Sequence, residues 1–289
     1  MKWKILLLAM FCTAALSAQD TVSLLFGGDA MCHSPQFQWA YNPSTDSYDY
    51  EPCFRYIRPI VQQSNLSLVN LEVTLGGLPY SGYPNFSSPD SYLDALRNAG
   101  FDVMMMANNH VLDRGRRGME RTLDQLGECP NMGAYRSPED RADRYPLIME
   151  VQGLRIAFFN CTYGCNGYHA LPPTSVNLID TAEIARDLQS IADQDVDLRV
   201  MTIHWGIEYQ LRATQAQRDL ARWFVSKGFD LVIGGHPHVV EDAEMIDDVP
   251  VFYSLGNLIS NQRRENTNGG LLVRVNINRN TRRIVSAEY

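Results

Sequence analysis

The 289-residue sequence has no internal repeat, no low-complexity tract and no long linker. That excludes solenoid and largely disordered architectures. It has no basic excess: 25 Lys and Arg face 33 Asp and Glu, a formal charge of −8. A general nucleic-acid binder needs a basic face, so that class is set aside. An anionic substrate is not, because bound cations reverse the local field even on an acidic protein. Past the first twenty residues no apolar run is long enough to span a membrane. Six cysteines are present and no close pair recurs, which argues against a four-cysteine zinc site. Five of them, Cys32, Cys53, Cys129, Cys161 and Cys165, lie beyond the N-terminal segment and leave at least one free thiol. Cys161 and Cys165 are close enough to pair in an oxidising compartment, but spacing alone leaves both states open.

The chain begins MKWKILLLAMFCTAALSAQD. Lys2 and Lys4 precede an apolar run from Ile5 to Leu16, and the small pair Ser17-Ala18 precedes polar Gln19-Asp20. This is the pattern of a secretory signal peptide over residues 1–18, with an uncleaved anchor as the alternative. Residues 19–289 then form a single α/β domain of an exported protein, periplasmic or at the cell surface.

What recurs is a rhythm of apolar, β-rich run, polar cluster and helical segment. The runs are Thr21–Gly28, Leu66–Leu71, Phe101–Ala107, Leu154–Asn160, Leu198–Ile203 and Phe229–Gly234. Later strands at Val239–Ile246, Val251–Leu255, Gly270–Ile277 and Arg283–Glu288 suggest an antiparallel arrangement. Helices are expected after Ser88-Pro89 up to Gly100, over Arg116–Leu126, over Ala182–Ala192, and from a Thr214/Gln217 capping box to Gly228. Alternating strands and helices with late hairpins imply two packed sheets flanked by helices. Cys32–Tyr56 and Gly76–Pro89 read as long loops near the strand ends.

Most of these runs end in a metal-ligand type. Asp29 follows two glycines, Glu72 closes Asn70-Leu71-Glu72, and Asn109-His110 follows the third run. His204 ends the fifth, and His236-Pro237-His238 follows the sixth. Parallel strands bring such ends to one sheet edge, where α/β folds form ligand sites. Carboxylates, imidazoles and an amide oxygen suit a divalent pair. Singly, each has a plainer reading: a turn aspartate, a solvated edge glutamate, a packed histidine. The set is harder to explain that way. His236 and His238 are expected to point the same way on extended chain. Asp113 lies three residues after His110 and suits either orienting that ring or starting a helix beside Arg114.

Taken together, Gly28-Asp29-Ala30-Met31, Asn70-Leu71-Glu72, Asn108-Asn109-His110 with Asp113 and Gly115, His204-Trp205-Gly206 with Glu208-Tyr209, His236-Pro237-His238-Val239 and Tyr253-Ser254-Leu255-Gly256-Asn257 resemble the CapA-type poly-γ-glutamate capsule synthesis family, a branch of the calcineurin-like metallophosphoesterases. The resemblance implies a four-layer α-β-β-α sandwich with two divalent ions, Mn, Fe or Zn, between the sheets. It implies that Asp29 and His238 bind one ion, that Asn109, His204 and His236 bind the other, and that Glu72 stands at the bridging position. His110 takes the place of a general acid, with Asp113 orienting it. Met31 departs from the pattern, standing where the superfamily has a histidine. The implied activity is hydrolysis of a phosphoester or a γ-glutamyl amide during synthesis or export of an anionic polymer, with a membrane-bound synthase as a partner. The alternative is a non-catalytic envelope component that binds the polymer or its synthase.

Overall fold

The computed structural model describes residues 20–289, so the expected signal peptide, residues 1–18, lies outside the described residues. Two sheets pack face to face. The first is built from β1 (Thr21–Ala30), β2 (Leu66–Leu71), β3 (Val103–Met105) and β4 (Asn131–Met132), all parallel. The second has β5 (Leu147–Val151) antiparallel to β6 (Leu154–Thr162), then β7 (Leu198–His204) and β8 (Leu231–Gly235) parallel to β6. Its far edge is β9 (Ala243–Ile246) and β10 (Val249–Phe252). The chain then returns to the first sheet with β11 (Asn257–Ile259), β12 (Leu272–Asn278) and β13 (Arg283–Glu288).

Val22, Leu24 and Phe26 of β1 enter one core with residues of the second sheet, while Leu25 enters another. The helices over that other core are α1 (Ser91–Ala99) and α2 (Gly115–Leu126), contributing Tyr92, Leu96, Met119 and Leu123. On the far side, α3 (Thr181–Ser190) and α4 (Gln215–Ser226) contribute Ile184, Ala221 and Phe224. The order is therefore α-β-β-α, as the resemblance implies. Among the described residues no helix is long and apolar enough to cross a membrane.

Local signals explain most boundaries. Thr214 and Gln217 form the expected reciprocal capping box at the start of α4. The helix expected from Pro89 starts two residues later at Ser91, with Asp90 at the N-cap and its carboxylate bound to Arg121 at 2.7 and 2.8 Å. Of the later strands, β12 and β13 are antiparallel as expected. β9 and β10 likewise pair antiparallel, while β10 also lies parallel to β8, and β11 parallel to β1. Strand β5 has no counterpart in the sequence reading, since its mixed, half-buried residues lack a clear alternation. All five described cysteines are free. Cys161 lies beside Met201 in the inter-sheet core and Cys165 belongs to the helix-side core, so the two do not pair.

Candidate metal centre

Strand alternation by itself puts Asp29 on the wrong face. Leu25 and Gly27 pair with Ser67 and Val69 on the helix side of the first sheet. A bulge at Gly28 inserts one residue, after which Asp29 pairs with Asn70 and faces the second sheet. The bulge needs glycine, because a Cβ on Gly28 would lie 2.0 Å from the Gly256 carbonyl oxygen. Asn70 and Glu72 follow on the same face of the neighbouring strand. From the opposite sheet, His204 ends β7 beside Gly235 of β8.

The His236-Pro237-His238 segment is not extended. His236 and His238 adopt φ of +98° and +58°, a region L-residues rarely occupy. The expectation of two histidines aligned by strand geometry is therefore corrected. They converge because the turn curls them inward, and ring centroids end 5.9 Å apart. Strain of this kind persists where the surroundings hold it, typically at functional sites. One restraint is the His236 N–H, which donates to Asp29 Oδ2 at 3.1 Å.

The side chains meet at short range. His238 Nδ1 lies 3.3 Å from Asp29 Oδ2, and its Nε2 lies 3.8 Å from Glu72 Oε1. His204 Nε2 lies 3.4 Å from Glu72 Oε1 and 2.9 Å from Asn109 Oδ1. His236 joins through its ring, 4.8 Å from that of His204. Two donor groups result, Asp29–Glu72–His204 and Glu72–His236–His238, sharing Glu72. Asp29, Glu72, Asn109, His204, His236 and His238 are all buried.

His110 and Asp113 form a separate pair at the edge. His110 Nδ1 meets Asp113 Oδ2 at 2.7 Å, and the Phe86 N–H donates to the same oxygen at 2.7 Å. Phe86 also packs edge-on against the His110 ring at 4.7 Å. With Nδ1 engaged, Nε2 is the ring nitrogen left for other partners.

Burial and like charge dominate the electrostatics. Burial opposes ionisation of Asp29, but the hydrogen bond from His238 and the charges of His204 and His238 hold its carboxyl below the usual range. Glu72 is pushed well above it by burial and then by Asp29. Burial lowers His204 to about 3. Burial and the neighbouring imidazoles lower His236 to about 2. His238 goes the other way: burial disfavours its charge, yet Glu72 and Asp29 raise it to about 9. Burial raises Asp113 against its bond to His110.

Two atoms test whether a divalent ion fits. Glu72 Oε1 and His236 Nδ1 are buried and lack a hydrogen-bond partner. Leaving such atoms unmet costs on the order of 1–3 kcal/mol each. Among the described residues no Lys or Arg pairs with Asp29 or Glu72; their only ion-pair partners are His204 and His238. Two carboxylates and three imidazoles with unmet lone pairs suit divalent cations.

Several residues here went unread in the sequence. Asn70 donates to Asp29 Oδ1 at 2.8 Å and lies 3.3 Å from His204 Nδ1, tying the two sheets. Asn108 fixes it in turn, donating to Asn70 Oδ1 at 3.0 Å. Asn166 meets Asn109 at 3.2 Å and His110 at 3.4 Å; its Asn166-Gly167 turn was the only signal available. Tyr163 packs 4.5 Å from His236. Asn257 reaches His238 Nδ1 at 3.1 Å. Other residues stand apart. Trp205 packs, donating to the Tyr253 carbonyl at 2.8 Å. His33 sits against Phe86 and accepts from the Asn261 N–H at 3.3 Å, outside both donor groups. Met31 is buried in the helix-side core. Arg114 donates to the Pro79 carbonyl and Arg116 pairs with Glu120.

The family described as bacterial capsule synthesis protein PGA_cap matches residues 23–262. The PGA biosynthesis protein CapA of Bacillus subtilis (strain 168) is 30% identical over 275 residues, covering 91% of this chain and 70% of that protein. The capsule biosynthesis protein CapA of Bacillus anthracis is 27% identical over 248 residues, 81% of this chain and 59% of that protein. Among solved structures, a Staphylococcus aureus protein assigned as a 5′-nucleotidase, in complex with alpha-ketoglutarate, superposes with a TM-score of 0.60 at 16% identity, over 93% of this chain and 53% of that one. The NAD nucleotidase of Haemophilus influenzae gives 0.52 at 13% identity, over 93% and 49%. The chain thus spans about half the length of both solved structures. At these identities the likeness establishes the metallophosphoesterase fold alone.

Proposed function

The chain belongs to the bacterial capsule synthesis family PGA_cap, and from that premise we propose that it is an exported, divalent-metal-dependent hydrolase of capsule-polymer metabolism. The bond cleaved is a phosphoester or a γ-glutamyl amide. The observation that supports this reading is the pair of donor groups sharing Glu72, with Glu72 Oε1 and His236 Nδ1 buried and unpartnered, beside the His110–Asp113 pair.

Asp29, Glu72, Asn109, His204, His236 and His238 would hold two ions, of Mn, Fe or Zn. The chemistry supplied by bound divalent ions is Lewis-acid polarisation of the attacked group and activation of water at neutral pH. The chain's own residues do the rest. Asp113 accepts a hydrogen bond from His110 Nδ1–H and orients the ring, so that in its doubly protonated form Nε2–H can deliver a proton to the departing group. Phe86 holds the pair from both sides, by its N–H on Asp113 and its ring on His110. Asn70 locks Asp29 to the opposite sheet. The same reading takes residues 1–18 as a removed signal and 19–289 as one domain. It places the protein in the periplasm or at the cell surface, with an anionic polymer and its membrane-bound synthase as partners.

The test is a mixed substrate panel, bis-p-nitrophenyl phosphate and a γ-linked glutamate oligomer, with products identified by mass spectrometry. The wild type is expected to cleave one class, and Glu72→Ala and His236→Ala to lose that turnover. If metal-loaded wild type cleaves neither, a non-catalytic envelope role replaces this reading.

A further inference from the structure

Most arginines of this acidic chain are neutralised by carboxylates, Arg141 by Asp187 and Arg218 by Asp242 among them. Arg264 is not: among the described residues no carboxylate forms an ion pair with it. Its guanidinium carbon instead lies over the Tyr209 ring, 4.2 Å from the centroid. The same ring also neighbours His238, with centroids 6.2 Å apart. Arg264 therefore stands one aromatic ring away from the candidate metal centre.

The placement is held from several directions. The Arg264 carbonyl accepts from Thr267 Oγ1 at 2.8 Å, and Thr267 is buried. The Thr267 carbonyl accepts from Asn257 Nδ2 at 3.0 Å, and Asn257 is the residue that meets His238 Nδ1. Tyr209 is fixed by its N–H to the Pro237 carbonyl at 2.8 Å, with φ of +68°. The Tyr209 hydroxyl accepts from Gln262 Nε2 at 3.5 Å. Among the described residues the Arg264 guanidinium makes no hydrogen bond, so its N–H donors remain unspent. Those donors match an oxyanion pair in fork geometry.

We infer that Arg264, lying over Tyr209, is a substrate-positioning residue that anchors an anionic oxygen pair, carboxylate or phosphate, on the unit next to the bond presented to the metal centre. A γ-linked glutamate chain has a free carboxylate beside every amide, and a phosphodiester chain has a phosphate on every neighbouring unit. The inference rests on the hydrolase reading for the location of the site, but binding is its readout, so the two fail separately.

The experiment titrates the metal-loaded full chain calorimetrically with a γ-linked glutamate oligomer, a glycerol-phosphate oligomer and a neutral dextran oligomer. Arg264→Ala is expected to weaken one of the two anions at least tenfold and Arg264→Glu further. Arg264→Lys should be intermediate, metal content unchanged and dextran indifferent. Arg263→Ala, on the same loop, should change binding less than threefold. The inference is overturned by wild type that binds neither anion, by equal affinities in wild type and Arg264→Ala, or by an equal loss in Arg263→Ala, which would indicate only a diffuse field. Which oligomer responds separates carboxylate from phosphate recognition.

Discussion

Removing the metal should make this protein lose stability as the solution becomes more alkaline. In the metal-free site His238 is raised from 6.5 to about 9 by Glu72 and Asp29, against the opposing effect of burial. A folded-state value above the unfolded one means the stabilisation is complete below about pH 6.5 and is lost as the pH climbs through 9. The difference corresponds to on the order of 3 kcal/mol. For a domain of this length that is roughly 10 °C in Tm. Glu72 is also raised, by burial and the charge of Asp29, and so adds with the same sign. His204 and His236 are pushed down, so they oppose this slope while the unfolded imidazoles still carry protons and add nothing above about pH 7.5. Divalent ions compete with the protons on His238 and Glu72, so their affinity should rise over the same interval. The assay is thermal unfolding of chelator-treated protein at pH 6, 7, 8 and 9, with and without Mn²⁺. The metal-free Tm should fall with pH while the gain from Mn²⁺ widens, and His238→Gln should flatten the metal-free slope. A metal-free Tm that is level or rises, or a Mn²⁺ gain equal at both ends, refutes the assignment of these residues to one ion-binding cluster.

Asp113→Asn keeps the shape but removes the charge that orients His110, and should lower kcat about 10²-fold with metal content intact. His110→Gln should lower it comparably, and the double variant should be no worse than either, as steady-state kinetics will show. Gly28→Ala drives a Cβ into the Gly256 carbonyl and should cost about 1–3 kcal/mol in denaturant melts while weakening metal retention. Asp187→Ala removes the bonds at 2.8 and 2.9 Å to Arg141, which keeps Glu183 at 3.3 Å, and should cost about 1.5–3 kcal/mol. Asp219→Ala breaks the exposed pair with Arg222 and the exposed hydrogen bond from Gln215, and should cost less than about 1 kcal/mol in the same melts.

The parts of the site legible in the sequence are those set by continuous apolar runs. Such runs mark where strands stop, so Glu72 and His204, and with them Asn109 and His110, were readable as neighbours at one sheet edge before any contact was known. Backbone departures were not readable. Alternation along β1 gives Asp29 the wrong face, and only the bulge at Gly28 corrects it. The left-handed turn at His236 and His238 follows from tertiary restraint, since neither residue prefers it locally. Asn70 carries no signal as a cross-sheet tie, because that role depends on His204, 134 positions away. Arg264 is equally silent, its partner Tyr209 being met only through the return of the chain to the first sheet. Strand β5 and the parallel setting of β10 escaped because short, half-buried segments lack a decisive period.

The most direct measurement is metal stoichiometry coupled to restored turnover. Protein stripped by a chelator is titrated with Mn²⁺, Fe²⁺ or Zn²⁺ while bound metal and hydrolysis of the responsive substrate are followed together. Turnover that rises with occupancy and saturates near two ions per chain, and that fails to rise in Glu72→Ala and His236→Ala, is the predicted result. Turnover that persists in the stripped protein, or full occupancy with no turnover of either substrate class, contradicts the account.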